Sequence, residues 1–120
     1  GGNREEAIKL IKKRGMERAD KKAGREVKAA SVFSYVHHNQ SLGSLVTIAA
    51  ETSFVTKTDE FQNLGKELAM QVAASGTTSV DQLLQEQYIR DPSITVGDLV
   101  KGTAGKVGEN IQIVNIRRVP

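Results

Sequence analysis

Apolar residues recur at helical spacing in the middle of the chain. The stripe consists of Phe61, Leu64, Leu68 and Val72. Steps of three and four residues place these side chains on one face of an α-helix. Gly76 follows the stripe and suits a left-handed helix end, while Thr56 and Asp59 precede it in the T-x-x-D arrangement of a capping box. The pattern predicts a helix over residues 57–75.

Two runs before this helix have the composition of β-strands. In residues 31–37 the side chains alternate between two faces, Val32 and Val36 on one and Phe33 and Tyr35 on the other. Residues 42–50 form a second run rich in aliphatic residues, and residues 39–41 between them are turn-forming. The two runs therefore predict an antiparallel hairpin.

The second half of the chain predicts shorter elements. Ser79 is placed to cap a short helix, and Asp91 with Pro92 predicts a turn. Thr95 and Asp98 repeat the capping-box spacing before a weak helix that Gly102 and Gly105 are expected to break. Residues 110–119 predict a third strand, in which the apolar positions change face, so we expect either a bulge there or burial of both faces of the strand.

These elements predict an α+β fold. A three-stranded antiparallel sheet, made of the hairpin and the C-terminal strand, packs against the central helix, with an N-terminal helix and short connecting helices. Asn3 and the apolar residues after it predict that N-terminal helix over residues 4–14. We expect two parts: an N-terminal basic helical arm at residues 1–24, and a core domain at residues 25–120.

Composition narrows the function classes. The chain has 120 residues and no cysteine, which excludes disulfides, thiolate metal sites and cysteine nucleophiles. No apolar run approaches the ~20 residues that span a bilayer, so no membrane association is expected. His37 and His38 are adjacent and would point to opposite faces of a strand. No catalytic, cofactor-binding or metal-binding set of residues emerges, and we expect a protein that is not an enzyme.

The charge is uneven. Residues 1–28 carry ten Lys and Arg against five acidic residues, whereas residues 29–120 carry seven against nine. A basic arm can favour RNA, a ribosome or an acidic protein surface, but it can equally be a solvated helix face. Phe33 and Tyr35 share a strand face, as in proteins that stack bases, yet no Lys or Arg lies between Lys28 and Lys57. Direct nucleic-acid binding is therefore not the favoured prediction.

Phe54 stands between the second strand and the central helix. One interpretation is that its ring folds back into the core at the start of the helix. The other is that the ring is exposed for a partner. The helical stripe begins at Phe61, seven residues later, and Ser53 beside Phe54 is small and polar. These neighbours favour the exposed interpretation.

An ordered series of stretches resembles the elongation factor Ts family over nearly the whole chain. The stretches are YVHHN at 35–39, ETSFV at 51–55, TDEF at 58–61, LAM at 68–70, AAS at 73–75, RDPS at 90–93, TVGDLV at 95–100 and KVGENI at 106–111, with KKAGR at 21–25 before them. Each piece is weak alone, whereas the ordered combination is specific.

The resemblance implies a mechanism. In that family a Thr-Asp-Phe-Val motif inserts its ring between two helices of the G domain of elongation factor Tu, which disturbs the magnesium and phosphate site and speeds GDP release. By resemblance, Phe54 is the wedge and Thr52, Ser53 and Val55 complete the partner-binding site. Ser53 departs from the family's Asp. The implied setting is translation elongation in the bacterial cytoplasm, with an organellar setting left open.

The resemblance also implies a homodimer, because short members of the family have one core half and dimerise through their sheets. Two rows of side chains are candidates for that interface, Val32, Val36, Ile111 and Ile113 or the opposite row of Phe33, Tyr35 and Val114. The family's N-terminal module has three helices, and residues 3–14 resemble only the last. The alternative function is a basic-armed ribosome- or RNA-associated module without exchange activity.

Overall fold

The computed structural model of the chain describes residues 24–120. Its strands are β1 (Ala29–Val36), β2 (Gly43–Ala50), β3 (Gln87–Tyr88), β4 (Asp91–Thr95) and β5 (Ile111–Val119). Its helices are α1 (Ser53–Thr56), α2 (Asp59–Ser75), α3 (Val80–Gln85) and α4 (Val96–Val107). The helix predicted over residues 4–14 and most of the basic arm lie outside the described residues. Within residues 24–120, no helix has the length and apolar character that crossing a membrane requires.

The main sheet has the order β1-β2-β5, with both pairs antiparallel, and β3 and β4 form a separate two-stranded sheet. The predicted α+β fold, with a hairpin joined by a distant C-terminal strand, is confirmed. The predicted bulge is also present. Ile113 pairs with Ile48 and Asn115 with Thr47, so Val114 is the extra residue on β5.

Helix α2 covers the inner face of the sheet. Its stripe residues Phe61, Leu68 and Val72 are fully buried. Phe33 on β1 packs against Phe61, with ring centroids 6.0 Å apart. Gly65 lies directly under the Phe33 ring, since a Cβ at Gly65 would come within 2.3 Å of that ring. The sheet and the helix thus share a closely packed core in which one position has room only for glycine.

Three local predictions were wrong in detail. The N-cap of α2 is Thr58, whose hydroxyl accepts a hydrogen bond from the Phe61 amide, whereas the Thr56 hydroxyl donates to the Ser53 carbonyl. Asp91 and Pro92 begin strand β4 instead of making an isolated turn. Helix α4 continues through both of its internal glycines, because the Thr95–Asp98 capping box starts it and Val96, Val100 and Ala104 anchor one face.

The outer face of the sheet carries an apolar patch. It consists of Val32, Val36, Leu45 and Val119, which are 64%, 66%, 48% and 63% exposed. The strand register places all four on one side. Neither predicted row has this composition, because Ile111 is buried on the inner face, as is Phe33. The bulge at Val114 shifts the alternation of side chains along β5. Simple alternation therefore could not predict which β5 residues share a face with Val32 and Val36.

Candidate functional site

The four residues from Thr52 to Val55 form the tip between β2 and α2. Phe54 is the most exposed large apolar side chain among residues 24–120, at 84%. Val55 and Thr56, directly after it, are 7% and 8% exposed. Helix α1 therefore has one side in the core and presents the phenylalanine ring to solvent. Of the two interpretations of Phe54, the structure agrees with the one in which the ring is exposed and not folded into the core.

The backbone carbonyls of residues 53–55 in the tip are paired. The Ser53 carbonyl accepts from the Thr56 hydroxyl at 2.8 Å, and the Phe54 carbonyl accepts from the Lys57 amide at 3.3 Å. The Val55 carbonyl accepts from both the amide and the hydroxyl of Thr58, at 3.0 and 2.7 Å. A single exposed turn is seldom stable alone, so these bonds, with the buried Val55 and Thr56, hold its shape.

Two carboxylates tie the start of the tip to the start of β5. The Glu109 carboxylate accepts from the Thr52 amide at 2.9 Å and from the Thr52 hydroxyl at 2.7 Å. In the opposite direction, the Glu51 carboxylate accepts from the Asn110 amide at 2.7 Å. The Asn110 side chain in turn donates to the Arg25 carbonyl at 2.7 Å. These contacts continue the pairing of Ala50 with Ile111 beyond the end of the sheet.

Ser53 is exposed at the first position of α1. Thr52 is the N-cap residue, but its side chain makes no capping hydrogen bond and is directed to Glu109 instead. The carboxylate that contacts this end of the tip therefore comes from residue 109, not from residue 53. Sequence pattern alone gives no sign of this role for Glu109, because Thr52 lies 57 positions before it in the chain.

Phe54 is exposed, and no tip residue lines either of two cavities on the described surface. One of them, about 390 Å³, lies between the end of β1, helix α2 and the β3–β4 sheet. At its edge Tyr88 donates to the Glu67 carboxylate at 2.7 Å. Burial and this hydrogen bond raise the pKa of Tyr88 to about 12. The site can thus enter a groove on another molecule, and it does not enclose a ligand.

The aromatic row of β1 and the adjacent His37 are the other candidate binding residues from the sequence. Phe33 is buried and Tyr35 is half-buried on the inner face of the sheet, so this row does not offer an exposed platform for bases. His37 shares a hydrogen bond with the Tyr35 hydroxyl at 3.1 Å. Over residues 24–120, no three or more His, Cys, Asp or Glu side chains are grouped so that they could hold a metal ion.

Comparison with known proteins gives one consistent family. A family model described as Elongation factor TS matches residues 51–120. A protein named Elongation factor Ts from Fervidobacterium nodosum is 29% identical, with 98% of this chain and 83% of that protein covered. Proteins of the same name from Clostridium kluyveri and Thermoanaerobacter sp. are 34% and 32% identical, covering 99% and 93% of this chain. The chain spans only 39% of the Clostridium kluyveri protein and 77% of the Thermoanaerobacter protein.

Proposed function

The chain belongs to the elongation factor Ts family, and from that premise we propose that it binds elongation factor Tu and promotes GDP release. The wedge is the tip Thr52-Ser53-Phe54-Val55. The observation that carries this proposal is the 84% exposure of Phe54 between Ser53 and Val55, whose carbonyls are paired and of which Val55 is buried. We place the activity in bacterial translation elongation, since the relatives are bacterial.

Exposure of the ring is costly unless a partner buries it. Full burial of a phenylalanine side chain contributes about 1.5–3 kcal/mol, which corresponds to roughly 10- to 150-fold in an equilibrium constant. The ring contributes little of this to folding of the chain itself. It is therefore available for binding, and the paired backbone reduces the entropy lost when the tip is fixed in a complex.

Exchange of a nucleotide requires no bond chemistry from the exchange factor. A factor that binds the nucleotide-free partner more tightly than the GDP-bound partner must, by linkage, weaken GDP binding by the same factor. A ring inserted between two helices can supply this difference, because it fits only the conformation in which the helices have separated. The proposed role therefore assigns no catalytic, cofactor-binding or metal-binding residues to this chain.

The test is the rate at which elongation factor Tu releases fluorescent GDP. We expect the wild-type chain to accelerate release and Phe54→Ala to lose that acceleration by about tenfold or more. Ile89→Ala is the matched control, because Ile89 is also a large apolar residue, 55% exposed, but lies outside the tip. Phe54→Ala should leave the melting temperature nearly unchanged, since surface substitutions usually change stability by less than ~0.5 kcal/mol.

Two outcomes would contradict the proposal. Failure of the wild-type chain to accelerate release at tens of micromolar would reject exchange activity. Equal acceleration by the wild type and Phe54→Ala would reject the wedge while leaving an exchange function by another surface. Phe61→Ala is a useful folding reference, because Phe61 is fully buried and its truncation should cost about 3–5 kcal/mol.

We further propose that two copies of the chain associate through the outer face of the sheet. The apolar patch of Val32, Val36, Leu45 and Val119 supports this, because large apolar side chains grouped on one face mark interaction surfaces. A two-fold symmetric contact would place the same patch on both copies. Leu45 is paired with the neighbouring strands on both sides, so a change there reaches the middle of the surface.

Light scattering after size exclusion tests this association. The wild type should show twice the 13.0 kDa chain mass. Leu45→Lys should show the monomer mass, because it places a second positive charge beside Arg117, which pairs with residue 45 on β5, and unpaired charges are strongly unfavourable in an interface. Ile89→Lys, on a surface outside the patch, should remain a dimer. A monomeric wild type at about 100 µM, well above the Kd of typical specific complexes, would contradict the proposal.

A further inference from the structure

We infer that Glu109 is the positioning residue of the wedge, an inference that rests on the proposed function. Its carboxylate holds the N-terminal end of the tip, whereas the local hydrogen bonds hold the C-terminal end. The inference begins with the two hydrogen bonds that Glu109 accepts from Thr52, at 2.9 Å from the amide and 2.7 Å from the hydroxyl. Phe54 lies two residues after Thr52, so a fixed Thr52 fixes the direction in which the ring leaves the surface.

The hydrogen bonds to the carbonyls of residues 53–56 come from residues 56–62, which are local in sequence. Burial of Val55 and Thr56 also fixes the C-terminal half of the tip in the core. Glu109 supplies a constraint of a different kind, because it joins Thr52, at the N-terminal end of the tip, to a segment 57 residues away. With Thr52 and Val55 both held, the exposed Phe54 between them has a defined orientation.

The position of Glu109 is itself well defined. Helix α4 ends at Val107 and is capped by Gly108, which has the left-handed φ of 78° and whose amide donates to the Ala104 carbonyl. Asn110 follows Glu109 and is 5% exposed, with its amide held by Glu51. Glu109 therefore stands between a helix cap and a buried residue, and its backbone has little freedom to follow a moving tip.

The chemistry of the contact favours a carboxylate. The two oxygens accept from two different donors on Thr52, a backbone N–H and a hydroxyl. Bonds to an ionised acceptor are roughly twice as strong as those between neutral groups. A glutamine at residue 109 can keep both contacts, with its carbonyl oxygen accepting from the Thr52 amide and its NH2 group donating to the Thr52 hydroxyl oxygen, but it lacks the charge, and an alanine keeps neither contact. The three residue types form a graded series in the strength of the tether.

The experiment makes two measurements on the full chain. One is hydrogen exchange of the Thr52 amide. The other is stimulated GDP release at increasing concentrations of this chain, which gives the maximal rate and the half-saturating concentration. We expect Glu109→Ala to raise Thr52 exchange and lower the maximal rate by roughly tenfold, because small misplacement of a positioned group is costly. Glu109→Gln should fall between it and the wild type. Glu60→Gln, which removes an exposed carboxylate from the first turn of α2, should match the wild type.

The outcomes separate this inference from the function on which it rests. A wild type that does not stimulate release rejects the proposed function, whatever the Glu109 variants do. If the wild type stimulates release and Glu109→Ala does so equally, the positioning role is overturned. An unchanged hydrogen-exchange rate of the Thr52 amide in Glu109→Ala also overturns the positioning role. General destabilisation would also overturn the positioning role. Its signs are a maximal rate that falls only in variants with a lower melting temperature, and hydrogen exchange at Thr52 that rises no more than at other amides.

Discussion

Gly65→Ala reverses the usual effect of replacing a helical glycine. In an exposed helix interior, alanine is more favourable than glycine by about 0.8–1 kcal/mol. At Gly65, however, an added Cβ would meet three atoms of the Phe33 ring at 2.3–2.4 Å. Real contacts of a Cβ are longer by more than 1 Å, since carbon atoms pack at about 3.5–4.0 Å. Either the ring or helix α2 must move.

The magnitude follows from the packing of the ring. Phe33 is buried against Phe61 at 6.0 Å between centroids, so displacement of the ring disturbs both aromatic residues. Overpacking of a core costs about 1–3 kcal/mol, and the helix preference returns about 1 kcal/mol. We expect a net destabilisation of up to about 2 kcal/mol. For a domain of this size, that corresponds to a fall in melting temperature of up to roughly 16 °C.

Gly102→Ala is the matched control, measured by urea or thermal unfolding of the same chain. Gly102 lies inside helix α4, and a Cβ there would meet no heavy atom within 4 Å. Alanine at residue 102 should therefore stabilise by about 0.5–1 kcal/mol. Phe33→Leu should also cost less in the Gly65→Ala background than alone, because the smaller side chain relieves the contact. A Gly65→Ala protein as stable as Gly102→Ala would refute the reasoning.

Two further predictions concern the ends of α2 and the cavity edge. Thr58→Ala should destabilise the chain by about 1 kcal/mol in urea unfolding, because it removes the cap of helix α2. Thr56→Ser should cost less, because it keeps the hydroxyl that donates to the Ser53 carbonyl. Equal stability of Thr58→Ala and the wild type would contradict this cap assignment. Burial and the Glu67 hydrogen bond raise the pKa of Tyr88 to about 12, above the value near 10 in an unfolded chain, so the stability from Tyr88 is complete below pH ~10 and lost as the pH rises toward 12. The stability difference between wild type and Tyr88→Phe should therefore narrow over that interval, and a difference that widens would contradict the shift.

The elements defined by local periodicity could be predicted from the sequence. The helical stripe ending at Gly76 and the capping box of Thr95 and Asp98 depend on neighbours within a few residues, and both are present. The T-x-x-D spacing of Thr56 and Asp59 predicts Thr56 as the N-cap of α2, whereas the N-cap in the structure is Thr58. Thr56 is instead a buried residue of the short helix α1, so Thr58 is the residue that caps α2.

Features that join distant parts of the chain were harder to predict. The outward face of β5 depends on a bulge whose position is set by pairing with β2. The contact of Glu109 with Thr52 depends on the end of α4 lying beside the end of β2. Gly65 gave no local sign of its role, because the ring that requires it lies on β1. Periodicity reports which side of an element is apolar, and it carries no information about which residue lies opposite.

The most direct measurement of the central claim is the release of fluorescent GDP from elongation factor Tu in the presence of the wild type, Phe54→Ala and Ile89→Ala at equal concentrations. The wedge account predicts that the wild type and Ile89→Ala accelerate release alike, and that Phe54→Ala loses about tenfold or more of that acceleration with its melting temperature maintained. Equal acceleration by Phe54→Ala and the wild type would contradict the account.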